Sequence, residues 1–325
     1  MKAIVIREPG DETVLGLGEV AAPELPAGAL RIRVAAAGVN RADLMQRQGH
    51  YPAPAGASEL LGLECAGEVV EVAPGVSGWK PGDRVMALLS GGGYAEEVVV
   101  DAGSALRVPE GMDLEAAAGF PEVFLTVFLN CFQIGGLEKG DALLVHGGGS
   151  GIGTAAIQLT REAGVTCFVT AGSDEKLQRC RQLGADYAIS YREEDFVERI
   201  LESTDGRGVD VVLDHMGAVY LDSNLRALAV GGRLIIIGLM GGARSELNLG
   251  SLLMRRQQII GSTLRARPVE EKAALVEAFV ERFGEALNQG RIAPVIDTVL
   301  PLAEAAQAHR RMKASEHFGK IVLRV

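Results

Sequence analysis

Residues 142–156 constrain this chain more than any other stretch: an apolar run, Ala142–Val145, enters His146-Gly147-Gly148-Gly149-Ser150-Gly151-Ile152-Gly153 and then an alanine-rich segment. A pyrophosphate needs bare backbone N–H groups at a helix N-terminus, where the aligned peptide dipoles also favour negative charge. Glycine lets the backbone turn sharply and approach closely, and a last glycine lets helix pack on strand. No frame gives a strict G-x-G-x-x-G. With Gly148 first, the middle position is Ser150, the last is Gly153, and Gly151 intervenes. A glycine cluster alone also suits a plain structural turn. Its place between strand and helix makes Gly148, Ser150, Gly151, Ile152 and Gly153 a predicted dinucleotide site.

The rest of the chain agrees with that placement. At 325 residues it exceeds the size at which one core stops growing, so two domains are expected. Residues 1–120 read as short strands, Leu30–Ala35, Glu68–Val72, Arg84–Leu88 and Tyr94–Val100, separated by turns such as Lys80-Pro81-Gly82-Asp83. A barrel-like β unit follows from that pattern. From 121 to 265, apolar runs at Ala142–Val145, Thr166–Thr170, Val209–Leu213, Arg233–Ile237 and Gln258–Thr263 alternate with helix-length segments. These suit a doubly wound parallel sheet buried on both faces, an α/β fold. After a helix from Val269 to about Leu287, the tail returns to extended segments at Pro294–Leu300 and Lys320–Val325, and 266–325 is expected to rejoin the first domain.

A net charge of −10, with no cluster of Lys and Arg, argues against a nucleic-acid surface. No apolar run is long enough to cross a bilayer, and Met1–Ile6 lacks a signal-peptide block, so the cytoplasm is the expected compartment. The four cysteines are widely spaced without a C-x-x-C and read as reduced, buried thiols.

Cofactor choice is written at the end of the second strand of the α/β region. An NAD-binding unit usually carries an acid there, about 20 residues on, for the ribose 2′-hydroxyl. That place falls on Gly172, with Ser173 beside it and Lys176 one helical turn further. A small neutral pair, a hydroxyl and a cation at a helix N-terminus suit a 2′-phosphate, and NADPH is the expected cofactor. Ser173 also reads as an ordinary helix cap, with Asp174 and Glu175 complementing the dipole; capping and phosphate binding are compatible.

With these motifs in view, the chain resembles the zinc-independent, zeta-crystallin-like quinone oxidoreductase family of the medium-chain dehydrogenase/reductases. It looks closest to the tumour-suppressor-induced NADPH quinone oxidoreductase branch. The resemblance spans essentially the whole chain and is carried by Gly38-Val39-Asn40-Arg41-Ala42-Asp43, Leu61-Gly62-Leu63-Glu64, Gly78-Trp79-Lys80-Pro81-Gly82-Asp83, the glycine turn, Thr170-Ala171-Gly172-Ser173 and Gly319-Lys320-Ile321-Val322-Leu323. It implies a GroES-like catalytic domain (1–120 and 266–325) joined to a Rossmann NADP-binding domain (121–265). Zinc-using relatives place Cys where Asn40 stands and His where Leu63 stands. Leucine does not ligate a metal and an amide is a poor zinc ligand, so no metal site is expected.

The implied activity is NADPH-dependent reduction of a quinone by direct hydride transfer, which needs chiefly that the acceptor be held over the nicotinamide. Enoyl or alkenal double-bond reduction is the alternative enzyme reading, and a non-catalytic NADPH-binding protein is the alternative outside catalysis. The resemblance puts Asn40, Asp43 and Tyr51 near the cleft, Tyr51 able to stack on a flat acceptor and hydrogen-bond its carbonyl. The plain alternatives are that Asn40 fixes a loop, Asp43 pairs with Arg41 or caps a helix, and Tyr51 sits on a surface loop. Thr126, and Asn130 one turn later, would face the nicotinamide end; a helix Thr bonding its own backbone is the plain reading. Tyr191 resembles a tyrosine packing at the adenosine phosphate. Gly217, Gly238, Leu239 and Met240 should pass along ribose and nicotinamide, Leu264 and Arg265 follow the last strand, and Lys320 resembles a lysine reaching the cofactor phosphates. No histidine receives a catalytic role. Relatives pair through the edge of the Rossmann sheet, so a homodimer, or a tetramer built from dimers, is expected through Gln258–Leu264.

Overall fold

Short extended runs broken by glycine and proline alternate with amphipathic helices along the whole chain, and the computed structural model describes all 325 residues. Strands β1 (Lys2–Ile6), β2 (Leu15–Glu19), β3 (Ala29–Gly38), β4 (Glu64–Val72), β5 (Arg84–Leu88), β6 (Glu97–Asp101) and β7 (Ala105–Arg107) come first. Six follow in the middle: β8 (Ala142–Val145), β9 (Thr166–Ala171), β10 (Tyr187–Ser190), β11 (Val209–Asp214), β12 (Leu228–Ile236) and β13 (Gln258–Gly261). β14 (Ile296–Pro301) and β15 (Lys320–Arg324) end the chain. The helices are α1 (Arg41–Arg47), α2 (Leu114–Ala117), α3 (Pro121–Val127), α4 (Gly151–Ala163), α5 (Asp174–Leu183), α6 (Phe196–Ser203), α7 (Leu221–Ala227), α8 (Leu249–Arg255), α9 (Val269–Asn288) and α10 (Ala305–Ala314). They divide between two compact units, Met1–Leu125 with Leu264–Val325, and Thr126–Thr263.

The first unit is a sheet in the order β14-β15-β3-β4-β5-β7, with β6 also on β3 and a separate β1–β2 ladder. β3 is its axis. Register shifts against β4, between Arg31 and Ile32 and between Val34 and Ala36, are the mark of bulges that bend a strand and raise its twist. β15 lies antiparallel to β3, with Val322 opposite Gly38, so the chain's end is stitched to its beginning. Leu30, Ile32, Val34, Cys65, Val69 and Val85 form a buried cluster. Burying each large aliphatic side chain contributes about 1.5–3 kcal/mol. β4 begins at Glu64, four residues before the run expected from hydrophobicity.

The second unit is a six-stranded parallel sheet in the order β10-β9-β8-β11-β12-β13. The order reverses between β8 and β11, and in open α/β sheets ligands bind outside the carboxyl ends of the strands at that reversal. All four residues of β8 are buried, as a strand covered on both faces requires. The five apolar runs read from the sequence are all strands. β10 is a sixth that hydrophobicity does not announce; it is a four-residue edge strand starting at the exposed Tyr187. Another feature the sequence hides is a widening of α3 into a π-helical stretch, Phe128–Ile134, where the Gly135 N–H donates to Asn130 O at 2.8 Å. A Cβ at 135 would press on the Cys131 carbonyl, so only glycine closes the turn this tightly.

Candidate active site

In the second unit the glycine turn leaves β8 and enters α4. Ser150 is the N-cap, its Oγ accepting the Gly153 N–H at 3.0 Å. Its own N–H is spent on Gly147 O at 2.8 Å, and the Gly148 N–H on Thr170 O at 2.8 Å. The donors left at the helix start are therefore Gly151 and Ile152, which have no carbonyl one turn back. Packing dictates the glycines. A Cβ at 148 would lie 2.8 Å from Val169 and 2.9 Å from Cys180 Sγ, and one at 153 would lie 2.5 Å from backbone atoms of Gly147 and Gly148. Gly147 has φ 68°, in the left-handed region, and the His215 ring lies 2.9 Å from where its Cβ would be.

His146 supports this turn from behind. It is buried, with Nδ1 3.1 Å from Thr170 Oγ1 and Nε2 2.7 Å from Asn224 Oδ1. Burial lowers its pKa to about 4, so the ring is neutral. Nε2 donates to Asn224 and Nδ1 accepts from Thr170, whose oxygen also receives the Gly147 N–H at 3.4 Å.

Beside the turn, β9 ends at Ala171 and Ser173 caps α5 by accepting the Lys176 N–H at 3.4 Å. The Tyr191 phenol occupies the space that a Cβ at 172 would need. Gly172, Ser173, Lys176 and Tyr191 thus form one surface, with a hydroxyl, an ammonium and a phenol but no acid where an NAD-binding strand carries one. Such a cradle, floored by glycine and edged by helix amides, has the donor chemistry that suits the phosphates of a nicotinamide dinucleotide.

The loops after β11 and β12 are laced together: Gly241 N donates to Met216 O at 2.7 Å and Met240 N to His215 O at 3.0 Å. Buried Asp214 accepts the N–H groups of Met216 at 2.7 Å and Gly217 at 2.9 Å. Gly217, at φ 76°, therefore contributes conformation rather than a free donor. Gly238, Leu239 and Met240 lie at the same sheet end, the last two exposed. On α3, Thr126 is buried and its carbonyl accepts Asn130 Nδ2 at 2.8 Å, which leaves Asn130 Oδ1 buried without a partner.

The first unit holds a second constellation. Asn40 starts α1, and Asp43 Oδ2 accepts its N–H at 2.7 Å. Asp43 also accepts the Gly62 N–H at 3.1 Å and the Tyr94 hydroxyl at 3.0 Å. It is the capping and loop-tying residue; Arg41 reaches Ser315 instead. Burial raises the Asp43 pKa to about 6.

Asn40, expected as a catalytic candidate, is committed to structure: Nδ2 donates to Glu64 Oε1 at 2.9 Å and to Gly38 O at 3.5 Å, and Oδ1 accepts from Lys320 Nζ at 2.6 Å. Lys320 is a correction of the same kind. Its ammonium donates to Val39 O at 2.9 Å, Asn40 Oδ1 at 2.6 Å and Glu64 Oε1 at 2.7 Å. Three protons meet three acceptors, so none is left for a cofactor phosphate.

Arg265, read from sequence as a cofactor contact, is a clamp on Tyr51. Its guanidinium donates to Tyr51 O at 3.2 Å, Ser90 O at 2.9 Å and Gln46 Oε1 at 2.7 Å, and stacks 5.2 Å from the Tyr51 ring centroid. Lys272 Nζ secures the clamp through Ser90 Oγ at 2.6 Å and Arg265 O at 2.7 Å. Leu264 beside it is buried. Burial, and next the charge of Glu122, raise the Tyr51 pKa, so its phenol stays a donor.

Sequence reasoning gave no role to Glu64, Glu122, Lys272, His146 or Asp214. Glu122 follows Pro121 and reads as an ordinary first-turn acid; nothing local distinguishes it. No group of three or more His, Cys, Asp or Glu is placed to hold a metal ion.

Residues 26–110 match the alcohol dehydrogenase GroES-like domain and residues 151–281 the zinc-binding dehydrogenase family. The synaptic vesicle membrane protein VAT-1 homolog of Homo sapiens is 35% identical over 93% of this chain and 81% of its own length. The chain belongs to the medium-chain dehydrogenase/reductases.

Within this family of GroES-like and Rossmann-like domains, the quinone oxidoreductase of Rattus norvegicus is 31% identical over 99% of the chain and 97% of its own length. Other relatives are far longer. The chain spans 12% of a highly reducing polyketide synthase of Emericella nidulans (32% identical, 93% of this chain) and 15% of a mycocerosic acid synthase-like polyketide synthase of Mycobacterium tuberculosis (34%, 98%). Among solved structures, a mycobacterial protein complexed with NADPH superposes with TM-score 0.88 at 30% identity, and an NAD-dependent alcohol dehydrogenase with 0.88 at 32%, each over 100% of both chains. The CurK enoyl reductase superposes with TM-score 0.87 at 28% identity, over 99% of this chain and 98% of its own. No helix of this medium-chain dehydrogenase/reductase is long and apolar enough to cross a membrane.

Proposed function

We propose that this protein is an NADPH-dependent, metal-independent quinone reductase. The observation that carries the reading is the surface of Gly172, Ser173, Lys176 and Tyr191 beside the glycine turn, which offers a hydroxyl, a cation and a phenol where an NAD-binding strand would end in an acid. Gly151 and Ile152 bind the diphosphate through their N–H groups, and Ser173 and Lys176 bind the 2′-phosphate. Gly238, Leu239, Met240 and the Thr126 hydroxyl border the nicotinamide end. When bound, the reduced nicotinamide supplies a hydride to an electron-poor acceptor. Tyr51, held by Arg265, stacks on a flat acceptor and donates its phenolic proton to the carbonyl as a hydrogen bond. Asn40, Glu64 and Lys320 fix the floor of the acceptor side, and the ammonium there supplies the positive charge next to Glu64.

The deciding experiment is an acceptor panel. Purified protein oxidises NADPH faster with an ortho- or para-quinone than with crotonyl thioesters or alkenals. The reverse order makes it a double-bond reductase, and cofactor binding without turnover of any acceptor makes it a binding protein.

A second copy is the proposed partner. The outer strand β13 has an unpaired edge, and Leu249, Leu253 and Met254 of the nearby α8 are exposed. Sedimentation reads a dimer or tetramer, and Leu253→Lys with Met254→Lys converts it to monomer; a monomeric wild type rejects the assignment.

A further inference from the structure

β8 and β11 lie side by side where the strand order reverses, with Leu213 opposite Val145. Two residues further along both strands, His215 meets Gly147 of the glycine turn. The point that a Cβ at 147 would take is 2.9 Å from His215 Cε1, 3.3 Å from its Nε2 and 3.8 Å from Ser150 Oγ. The imidazole thus shares one glycine with the hydroxyl that caps α4, the helix whose first N–H groups are unspent. Only a residue without a Cβ leaves the ring that place.

The backbone fixes the base of the ring. His215 O accepts the Met240 N–H at 3.0 Å, and a Cβ at 238 would lie 3.1 Å from His215 Cβ. Asp214, just before it, accepts the N–H groups of Met216 and Gly217. His215 itself is half-buried, so solvent still reaches it.

The groups around the ring set how it carries a charge. Gly147 and Ser150 on the turn and Gly238, Leu239 and Met240 after β12 are uncharged. His146 at the end of β8 is neutral and does not repel an imidazolium. Asp214, on its own strand, favours one. The positive end of the α4 dipole opposes it until an anion is seated there. An anion on the glycine turn therefore changes the field at this ring from repulsive to attractive.

We propose that His215 is a cofactor-binding residue whose imidazole takes up a proton from solvent as a dinucleotide diphosphate seats on the glycine turn. This rests on the reading of that turn as a dinucleotide site. The sign follows from charge. The diphosphate is anionic throughout the range in which histidine titrates, so the ring holds its proton to higher pH in the complex than in the free protein. Binding is tightest at low pH and weakens as pH rises. Between the two limits the complex draws part of a proton from the buffer.

ADP-ribose is the probe, because it carries the diphosphate but lacks the 2′-phosphate, whose own second proton leaves at about pH 6. Calorimetry in two buffers of different ionisation heat counts the protons. Wild type should take up part of a proton near neutral pH and bind about tenfold tighter in mild acid than in mild base. His215→Gln should bind at the weaker level at every pH, with no proton uptake. NMR follows the same ring directly, and its titration should move to higher pH when ADP-ribose is bound. Assigned through the backbone, that ring needs no variant, so a poorly folded H215Q leaves this arm intact. A ring that titrates alike in both states, or proton uptake retained in H215Q, overturns the inference and leaves the dinucleotide site standing. Failure of both ADP-ribose and NADPH to bind at any pH defeats the dinucleotide reading, and this one with it.

Discussion

Lys320 Nζ lies 2.7 Å from Glu64 Oε1, with side chains 3% and 0% exposed, and this ion pair ties the last strand of the chain to β4. It lies at Asn40, whose Oδ1 also accepts from Lys320 Nζ at 2.6 Å. Removing one partner of a buried pair strands the other charge and costs about 3–5 kcal/mol, whereas replacing both with apolar groups is often near neutral. Lys320→Met should therefore unfold at much lower denaturant concentration than wild type. Adding Glu64→Leu to it should restore most of the loss in a chemical-denaturation double-mutant cycle. A double-variant loss equal to the sum of the two single losses would mean that the pair carries no coupling.

The glycine turn makes a graded prediction. A Cβ at 148 meets side-chain atoms of Val169 and Cys180 at 2.8 and 2.9 Å, which have some room to give, while one at 153 meets backbone at 2.5 Å. Overpacking of the first kind costs about 1–3 kcal/mol. Gly148→Ala should fold with a lowered Tm and weakened NADPH binding by calorimetry. Gly153→Ala should be the worse of the two on both readouts.

The proposed 2′-phosphate site puts cofactor choice at Lys176. A hydrogen bond to a charged group contributes about 1.5–3 kcal/mol, so Lys176→Ala should weaken NADPH about tenfold or more and leave NADH nearly unchanged. Equal weakening of both would place the lysine away from the 2′-phosphate. NADH binding as tightly as NADPH to the wild type would remove the pocket altogether.

His146 predicts a pH dependence. Its folded pKa, about 4, lies below the ordinary 6.5 because burial penalises the charged ring. A depressed value means that the stability from the neutral ring is complete above pH 6.5 and is lost as pH falls through 4. The full loss is roughly 3 kcal/mol. His146→Gln should lower stability at pH 7 but flatten the decline between pH 6.5 and 4 in denaturant titrations. An unchanged slope would show that the ring does not titrate in that window.

The sequence alone determined what is local. A run such as Ala142–Val145, followed by glycines and then alanines, has few ways to bury its apolar atoms and satisfy its backbone, so the α/β unit and its strand–glycine turn–helix were legible. The capping of α1 by Asp43 and of α5 by Ser173 was legible for the same reason, since each bond spans three residues. Tertiary structure decided what depends on distance. Lys320 finds Asn40 across 280 positions, and Arg265 finds Tyr51 across 214. Both lysine and arginine read from sequence as cofactor ligands because their resemblance to family positions says nothing of which acceptors surround the charge. Glu122 is the same case seen from the acid side. A carboxyl's proton is held or lost according to its burial and the neighbours that claim the nearby cations, and those neighbours come from β4, α1, α9 and β15, brought together only when the sheet closes on its own tail.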